Sequence, residues 1–320
     1  MEQMEMVSVD QLVPSDHSYR KMLEIWSFRS ANNYLVKLEK DNPHKGYGLL
    51  RLFKCLLLQF LEDHSDRELA RFLQENNAAK YFCGFSLAER TPDYSVFSRV
   101  RARIGTKLLS KIFANLRDQL RSQGYMNEVF TCVDATHLIA KANLWQERDE
   151  LIRQRDEKLS NVTLPQVAAD SQARMGCKGK DKYWYGYKKH VSVDMQSGLI
   201  NKVALTPANV IDSKGLKHVC PSQGAVIADK GYCDRHARQA TQRRGCHLSA
   251  IKKGNMKGKN RDLDRWLSGL RSPYERVFSK DNKRVRYRGV AKNQFAEMFK
   301  AIAFNLKRLL VLSPPNLCLE

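Results

Sequence analysis

The sequence predicts two parts: an α-helical domain over 1–125 and an α/β domain over 126–320, the second a mixed sheet flanked by helices. Three observations carry this. After the opening forty or so residues and up to Gly124, apolar residues recur at three- and four-residue spacing, the mark of helices that bury one face. From Tyr125 the period changes to short apolar or alternating runs set off by Gly, Ser and Asn, as strands require. The chain has 320 residues, 42% of them apolar, which is enough to fill a core in each part.

Charge narrows the partner before any motif is read. Lys and Arg number 55 against 34 Asp and Glu, a net charge of +21, well beyond what solubility needs, so a polyanion is expected. An anionic membrane would require an apolar anchor. The longest apolar stretch, Leu49 to Leu61, contains Arg51 and Lys54 and is too short to span a bilayer. The opening Met1-Glu-Gln-Met-Glu-Met6 is acidic, unlike a secretion signal. A nucleic acid is therefore the expected partner, with no membrane, a cytoplasmic location and reduced cysteines. Cys233, His236, Cys246 and His247 offer zinc-type ligands, but an adjacent Cys and His cannot readily reach one tetrahedral ion, so no zinc is expected.

The first part is read in order. Its opening forty or so residues show no strong period. Gly48 to Leu61 reads as an apolar-rich helix, and Ser65-Asp-Arg-Glu68 is a capping box for a second, running to about Asn76 with Leu69, Phe72 and Leu73 inward. A third follows Thr91 as cap, with Pro92 in its first position. Along it, Val96, Val100 and Ile104 form an inner face, Arg99 and Arg103 an adjoining strip, and Arg101 lies further around. Short helices ending in a basic one suggest a helix-turn-helix-like reader with Arg99, Arg101 and Arg103 as DNA contacts. A core helix with a solvated basic face is the alternative. Lys107 to Arg121 is a further helix, stopped at Gly124.

The second part opens with Val129-Phe-Thr-Cys-Val133, a β-branched and aromatic strand that delivers Asp134 at its end. Leu144 to Leu159 is charged and helix-like, part of an insert near 144–182 that closes with an exposed loop over Met175 to Lys182. Tyr183 to Asp194 and Leu199 to Thr206 flank Gln196-Ser-Gly198 as a hairpin. A helix over Ile211–Cys220, a buried strand over Ala225–Asp229, a helix over Arg235–Arg244 and a strand over Cys246–Ile251 follow. The uncharged run Val226-Ile-Ala228 suits a strand buried on both faces, broken by Lys230-Gly231, so Asp229 also stands at a strand end. In open α/β sheets that is where chemistry is placed. A turn aspartate is the other reading of Asp229.

From Ile251 to Lys292 cations dominate: seven Lys and seven Arg against Asp262, Asp264, Glu275 and Asp281. Lys252, Lys253, Arg271, Lys280, Lys283, Arg284, Arg286 and Arg288 are the candidate DNA contacts, with Tyr274, Phe278 and Tyr287 interleaved for stacking. Glu275 is an acid that this cationic ground would not by itself select. One reading makes it a third catalytic carboxylate. The other makes Ser272-Pro-Tyr-Glu275 a helix start, with Ser272 the cap and Glu275 a capping-box acid. A closing helix spans Asn293 to Leu312 and buries Phe295, Phe299, Ile302, Leu306 and Leu309.

Several of these segments resemble bacterial insertion-sequence transposases of the DDE type with an InsH-like N-terminal domain. The likeness runs through His64-Ser-Asp-Arg-Glu-Leu69, Tyr81-Phe-Cys-Gly-Phe-Ser86 and Pro92 to Arg99. It continues through Val133-Asp-Ala-Thr136, Tyr185-Gly-Tyr-Lys-Lys-His-Val191, Ile227-Ala-Asp-Lys-Gly-Tyr232, Arg271-x-x-x-Glu275 and Val285 to Gly289. Ser268 and Asn282 stand where a related signature has Tyr and Lys. The resemblance implies an RNase H-like catalytic domain in which Asp134, Asp229 and Glu275 are the catalytic and metal-binding acids. It implies two Mg²⁺ ions, with Mn²⁺ as substitute, and cleavage at the element's terminal inverted repeats followed by joining of 3′-hydroxyl ends to target DNA, by a homodimer. A nuclease without strand transfer and a non-catalytic DNA-binding regulator are the rival classes.

Overall fold

A computed structural model of the chain describes residues 7–41, 46–140, 161–162, 164–179, 182–274, 283–312 and 317–320. The chain divides into two units, Met1–Gly124 with Met298–Glu320, and Tyr125–Glu297.

The first unit is helical: α1 (Val9–Leu12), α2 (Ser18–Ile25), α3 (Arg29–Asp41), α4 (Leu49–Leu61), α5 (Asp66–Glu75), α6 (Asn77–Cys83) and α7 (Tyr94–Ser122). Helix α4 is apolar nearly all round, so it takes the centre. Leu56, Leu57 and Leu58 are all fully buried. Its two cations are accommodated at the edge. Arg51 pairs with Glu89 at 2.6 Å and lies over the Phe85 ring, and Lys54 lies over Phe28. The capping box at Ser65 forms as expected, Ser65 and Glu68 each bonding the other's backbone N–H. Three expectations change. The opening residues, without a strong period, form α1 to α3. Asp93 and not Thr91 caps α7, accepting from Ser95 N–H at 2.9 Å, which leaves Pro92 outside the helix. And α7 runs through both expected helices, broken only at Gly105 (φ 63°, ψ 170°), a left-handed φ that a residue without Cβ adopts freely.

The chain's last residues were assigned from the sequence to the α/β part, yet from 298 onward they pack in the helical unit. Phe299 stacks on Phe60 at 5.5 Å, and Ser27 N–H donates to the Leu319 carbonyl at 2.8 Å.

The second unit is built on six strands among the described residues: β1 (Phe130–Ile139), β2 (Arg174–Lys178), β3 (Lys182–Asp194), β4 (Ile200–Pro207), β5 (Ala225–Ala228) and β6 (His247–Ala250). With them run helices α8 (Leu164–Val167), α9 (Asp212–Val219), α10 (Arg235–Gln242), α11 (Arg261–Arg271) and α12 (Val290–Leu312). The sheet order is β2-β3-β1-β5-β6, with β4 also on β3. Strands β1 and β3 pair antiparallel, while β1, β5 and β6 run parallel, so the sheet is mixed. The expected loop over 175–182 is instead an edge strand and its turn: β2 pairs with the first residues of β3, and Gly179 turns the chain at φ 72°. Edge pairing uses backbone groups, so it needs no apolar alternation and left none to read. The helix-like stretch 144–159 lies outside the described residues; β2 is added to the expected order, and the other five strands follow in the expected sequence.

One face of the sheet packs Val133, Val226 and Ala228 against Leu216 of α9 and Ala237 of α10. A second core gathers Leu138, Tyr185, Tyr187 and Leu205 with Leu164 and Val285. There the Gln294 side chain of α12 bonds the β4 backbone at Leu205 N and Val203 O. A mixed sheet with helices on it, in this strand order, is the RNase H-like arrangement.

Candidate active site

Two adjacent parallel strands deliver the two aspartates. The last register pair between β1 and β5 is Val133 with Ala228, and each aspartate is the next residue along. Asp229 follows the end of β5, as expected, but Asp134, expected to end its strand, lies within β1, which pairs with β3 as far as Ile139. Asp134 accepts from the Ala135 N–H at 2.8 Å and from Arg271 Nη2 at 3.3 Å. Burial pushes the Asp134 carboxyl up to about 6, with the Asp229 charge adding to the rise; the Ala135 N–H, Arg271 and Lys178 oppose it. Asp229 turns the chain. Its carboxylate accepts from the Gly231 N–H at 2.8 Å, capping the short turn Lys230–Tyr232. Gly231 is small for a reason: a methyl group there would meet Asp229 Oδ1 at 3.0 Å.

The donor set fits a hard divalent cation. Both carboxylates offer hard oxygen donors, and the burial and mutual repulsion that raise Asp134 are what a divalent cation would offset. Among the described residues, no group of three or more acid, His or Cys side chains is placed to hold one metal ion. Glu275, expected as the third acid, lies outside the described residues, as does Lys280. Ser272, the cap in the competing reading of Glu275, has helical φ and ψ, closes α11 and runs directly into a 3-10 turn, Ser272–Tyr274. The Arg261–Arg271 helix, begun by Asn260 accepting from Asp262 and Leu263 N–H, was not expected. Its signal was present in that Asn cap, but the charge of the segment obscured the period.

Two basic candidates are corrected. Arg271, expected on DNA, is buried and paired with Asp134. Arg101, expected on a reading face, grips Asp66 with both Nη atoms and also bonds Gln59. Each lies within reach of a carboxylate and is largely out of water, where charge pairing outweighs exposure. Arg103 is half-buried and donates to the Leu38 carbonyl. Arg99, Lys253, Lys283, Arg284 and Arg288 are exposed, and Arg286 is half-buried. Lys252 Nζ donates to the Gly258 carbonyl at 2.7 Å.

The segment from Lys283 is fastened to the sheet. Ile139 at the end of β1 donates to the Lys283 carbonyl at 2.6 Å, and Val285 N–H returns to the Ile139 carbonyl at 3.0 Å. Buried Asp170 completes the attachment, accepting from Tyr187 OH at 2.8 Å and from the Gly289 N–H at 3.0 Å. The sequence reading missed Asp170. The only hint was Tyr187, in the Tyr185–Val191 motif. It also missed Asp212, which pairs with Lys188 of that same motif at 2.8 Å.

Among solved structures, the chain is similar to a "Mos1 transposase paired-end complex with left transposon end", at 9% identity over 85% of this chain and 81% of that one, with a TM-score of 0.18. A score so low bears no weight. Residues 7–103 match the family model described as Transposase domain (DUF772). Residues 126–306, more than half of the chain and including Asp134 and Asp229, match the model described as Transposase DDE domain, and the protein therefore belongs to the DDE transposase family.

Proposed function

We propose that this DDE transposase binds the terminal inverted repeats of its own insertion sequence, hydrolyses a phosphodiester bond there and joins the freed 3′-hydroxyl to target DNA. The observation that carries this reading is the placing of Asp134 on β1 and Asp229 just past the end of the neighbouring parallel strand β5, directly after the paired residues Val133 and Ala228, in one shared field. Two Mg²⁺ ions, or Mn²⁺ in their place, would be held by Asp134, Asp229 and Glu275 and would polarise the scissile phosphate and activate water. The chain's own residues prepare the site. The strands fix the carboxylates before substrate arrives, so no ordering remains to be done at the reacting phosphate. Arg271 balances the charge of Asp134. Lys253, Lys283, Arg284 and Arg288, exposed on the α/β unit, offset phosphate charge along the DNA and set its path. Arg99, exposed on α7, is the residue we assign to discrimination of the element's ends. A homodimer would bring two ends together, and action on bacterial chromosomal DNA would place it in the cytoplasm.

The test uses a DNA duplex carrying the element's end, and a second duplex already cut to expose its 3′-hydroxyl. Asp134→Asn and Asp229→Asn should each fold and bind DNA while losing Mg²⁺-dependent cleavage by about 1000-fold or more, since several kcal/mol of charge stabilisation go with a ligand. Strand-transfer product from the pre-cut duplex identifies a transposase. Cleavage without it would leave a nuclease. Full biological activity in Asp134→Asn would leave a DNA-binding regulator and overturn the proposal.

A further inference from the structure

Tyr232 is fully buried, and its hydroxyl has no hydrogen-bond partner among the described residues. Folded proteins keep few such atoms, and those kept accompany reacting groups, ordered water or ions. The surroundings of Tyr232 identify which case applies. Its ring packs in one core with Val133 and Ala228, the residues that immediately precede Asp134 and Asp229. Its backbone is tied to the second of these acids: Tyr232 N–H donates to the Asp229 carbonyl at 3.1 Å. A third carboxylate approaches the same turn. A methyl group on Gly231 would meet Asp212 Oδ2 at 3.8 Å, beside Asp229 Oδ1. Burial, and then the charges of Asp134, Asp212 and Asp229, hold the phenol protonated well above its ordinary range, with Arg271 opposing. Tyr232 is thus a buried donor packed beside the strands that carry Asp134 and Asp229, and its hydroxyl bonds neither of them. Asp212 already holds Lys188 at 2.8 Å, which leaves Asp134 and Asp229 as the acceptors to be oriented.

We propose that Tyr232 is a positioning residue of this centre: its hydroxyl donates, directly or through one water, to the Asp134 or Asp229 carboxylate and holds it turned toward a bound divalent cation. The inference rests on the metal-dependent function proposed above. A ligating carboxylate has two oxygens, and one spent on a cation leaves the other to be fixed by a donor; such partners of metal ligands set affinity as well as geometry. A core phenol with no such role would instead make its hydroxyl a burden to the fold, and phenylalanine would serve better.

The experiment compares full-length wild type, Tyr232→Phe and Asp134→Asn, reading thermal stability in EDTA and across titrations of MgCl₂ and of MnCl₂, with end cleavage measured in parallel. Tyr232→Phe should fold and be no less stable than wild type in EDTA. Its midpoint for the cation-induced rise in melting temperature should move to about 10-fold higher concentration or beyond, and cleavage should slow, with partial recovery at high cation. A Tyr232→Phe titration superimposable on wild type, where Asp134→Asn has lost the response, would overturn this inference alone. A response retained in Asp134→Asn would overturn the metal site itself, and this inference with it. Should Tyr232→Phe fail to fold, wild-type protein with ¹³Cζ-labelled tyrosine decides. One of the twelve tyrosine resonances should shift on MgCl₂ addition and stay fixed in Asp134→Asn; no shift in wild type would refute the proposal.

Discussion

His190 should make the α/β unit sensitive to mild acid. Its ring is fully buried in β3, Nε2 is 2.8 Å from Thr206 Oγ1, and Nδ1 has no partner among the described residues. Gly215 of α9 lies against it so closely that a methyl group there would meet His190 Cε1 at 2.1 Å. Protonation would place an unsolvated charge in that space. Burial therefore lowers the ring from its ordinary 6.5 to about 4, with Lys188 and His218 adding to the fall and Asp212 opposing it. The folded protein keeps the ring neutral down to about pH 4, whereas the unfolded chain takes up the proton near 6.5. Stability from this group is thus fully present above pH 7 and is lost as pH falls between those values, about 3 kcal/mol in all and about 2 kcal/mol of it by pH 5. Carboxylates and His218 titrate in the same range, so the measurement must be a difference. Urea unfolding of wild type and His190→Gln, followed by circular dichroism from pH 8 to 4.5, isolates the group. The gap between the two should narrow by about 2 kcal/mol toward acid. Parallel curves, within about 0.5 kcal/mol, would refute the burial argument.

Three further outcomes are expected. Arg101→Ala should destabilise the helical unit by about 1–2 kcal/mol in chemical denaturation, because Asp66 and the buried Gln59 lose their shared partner while Asp66 keeps some solvent; preference for the element's ends over random DNA should not change. Gly186→Ala should cost about 3 kcal/mol or more, or prevent soluble expression, since the added carbon would sit 2.0 Å from the Leu138 carbonyl oxygen on β1. Neutralising Lys283, Arg284 and Arg288 to Gln should weaken binding to all DNA sequences alike and lower the salt dependence by about one counterion for each phosphate contact removed, read by fluorescence anisotropy at several salt concentrations.

Much of the fold was legible because strands and caps announce themselves locally. Short uncharged runs before Asp134 and Asp229, the hairpin turn after Asp194 and the Ser65 capping box each depend on residues within a few positions. The order of those pieces, with the net charge, was enough to raise DNA as partner and to single out two acids on neighbouring strands, although β1 runs on past Asp134 to Ile139. Edge strand β2 was missed because backbone pairing at an edge carries no side-chain period. Asn260 was missed because charged residues masked the helix it starts.

What the sequence by itself determined is which carboxylates follow short uncharged strand runs; that β1 continues past Asp134 to Ile139 it did not show. Only the tertiary structure decided what those carboxylates face. Arg271 meets Asp134 across 137 positions, Asp170 holds Gly289 across 119, and Arg101 meets Asp66 across 35. The partner of a charge is chosen by closure of the chain over such distances, and spacing along the sequence holds no trace of it. For the same reason Arg101 and Arg271 read as free cations beside a polyanion, although in the fold each is committed to an acid. Tyr232 stood in the sequence only as the end of a motif, and packing buried it beside Val133 and Ala228, next to the two aspartates.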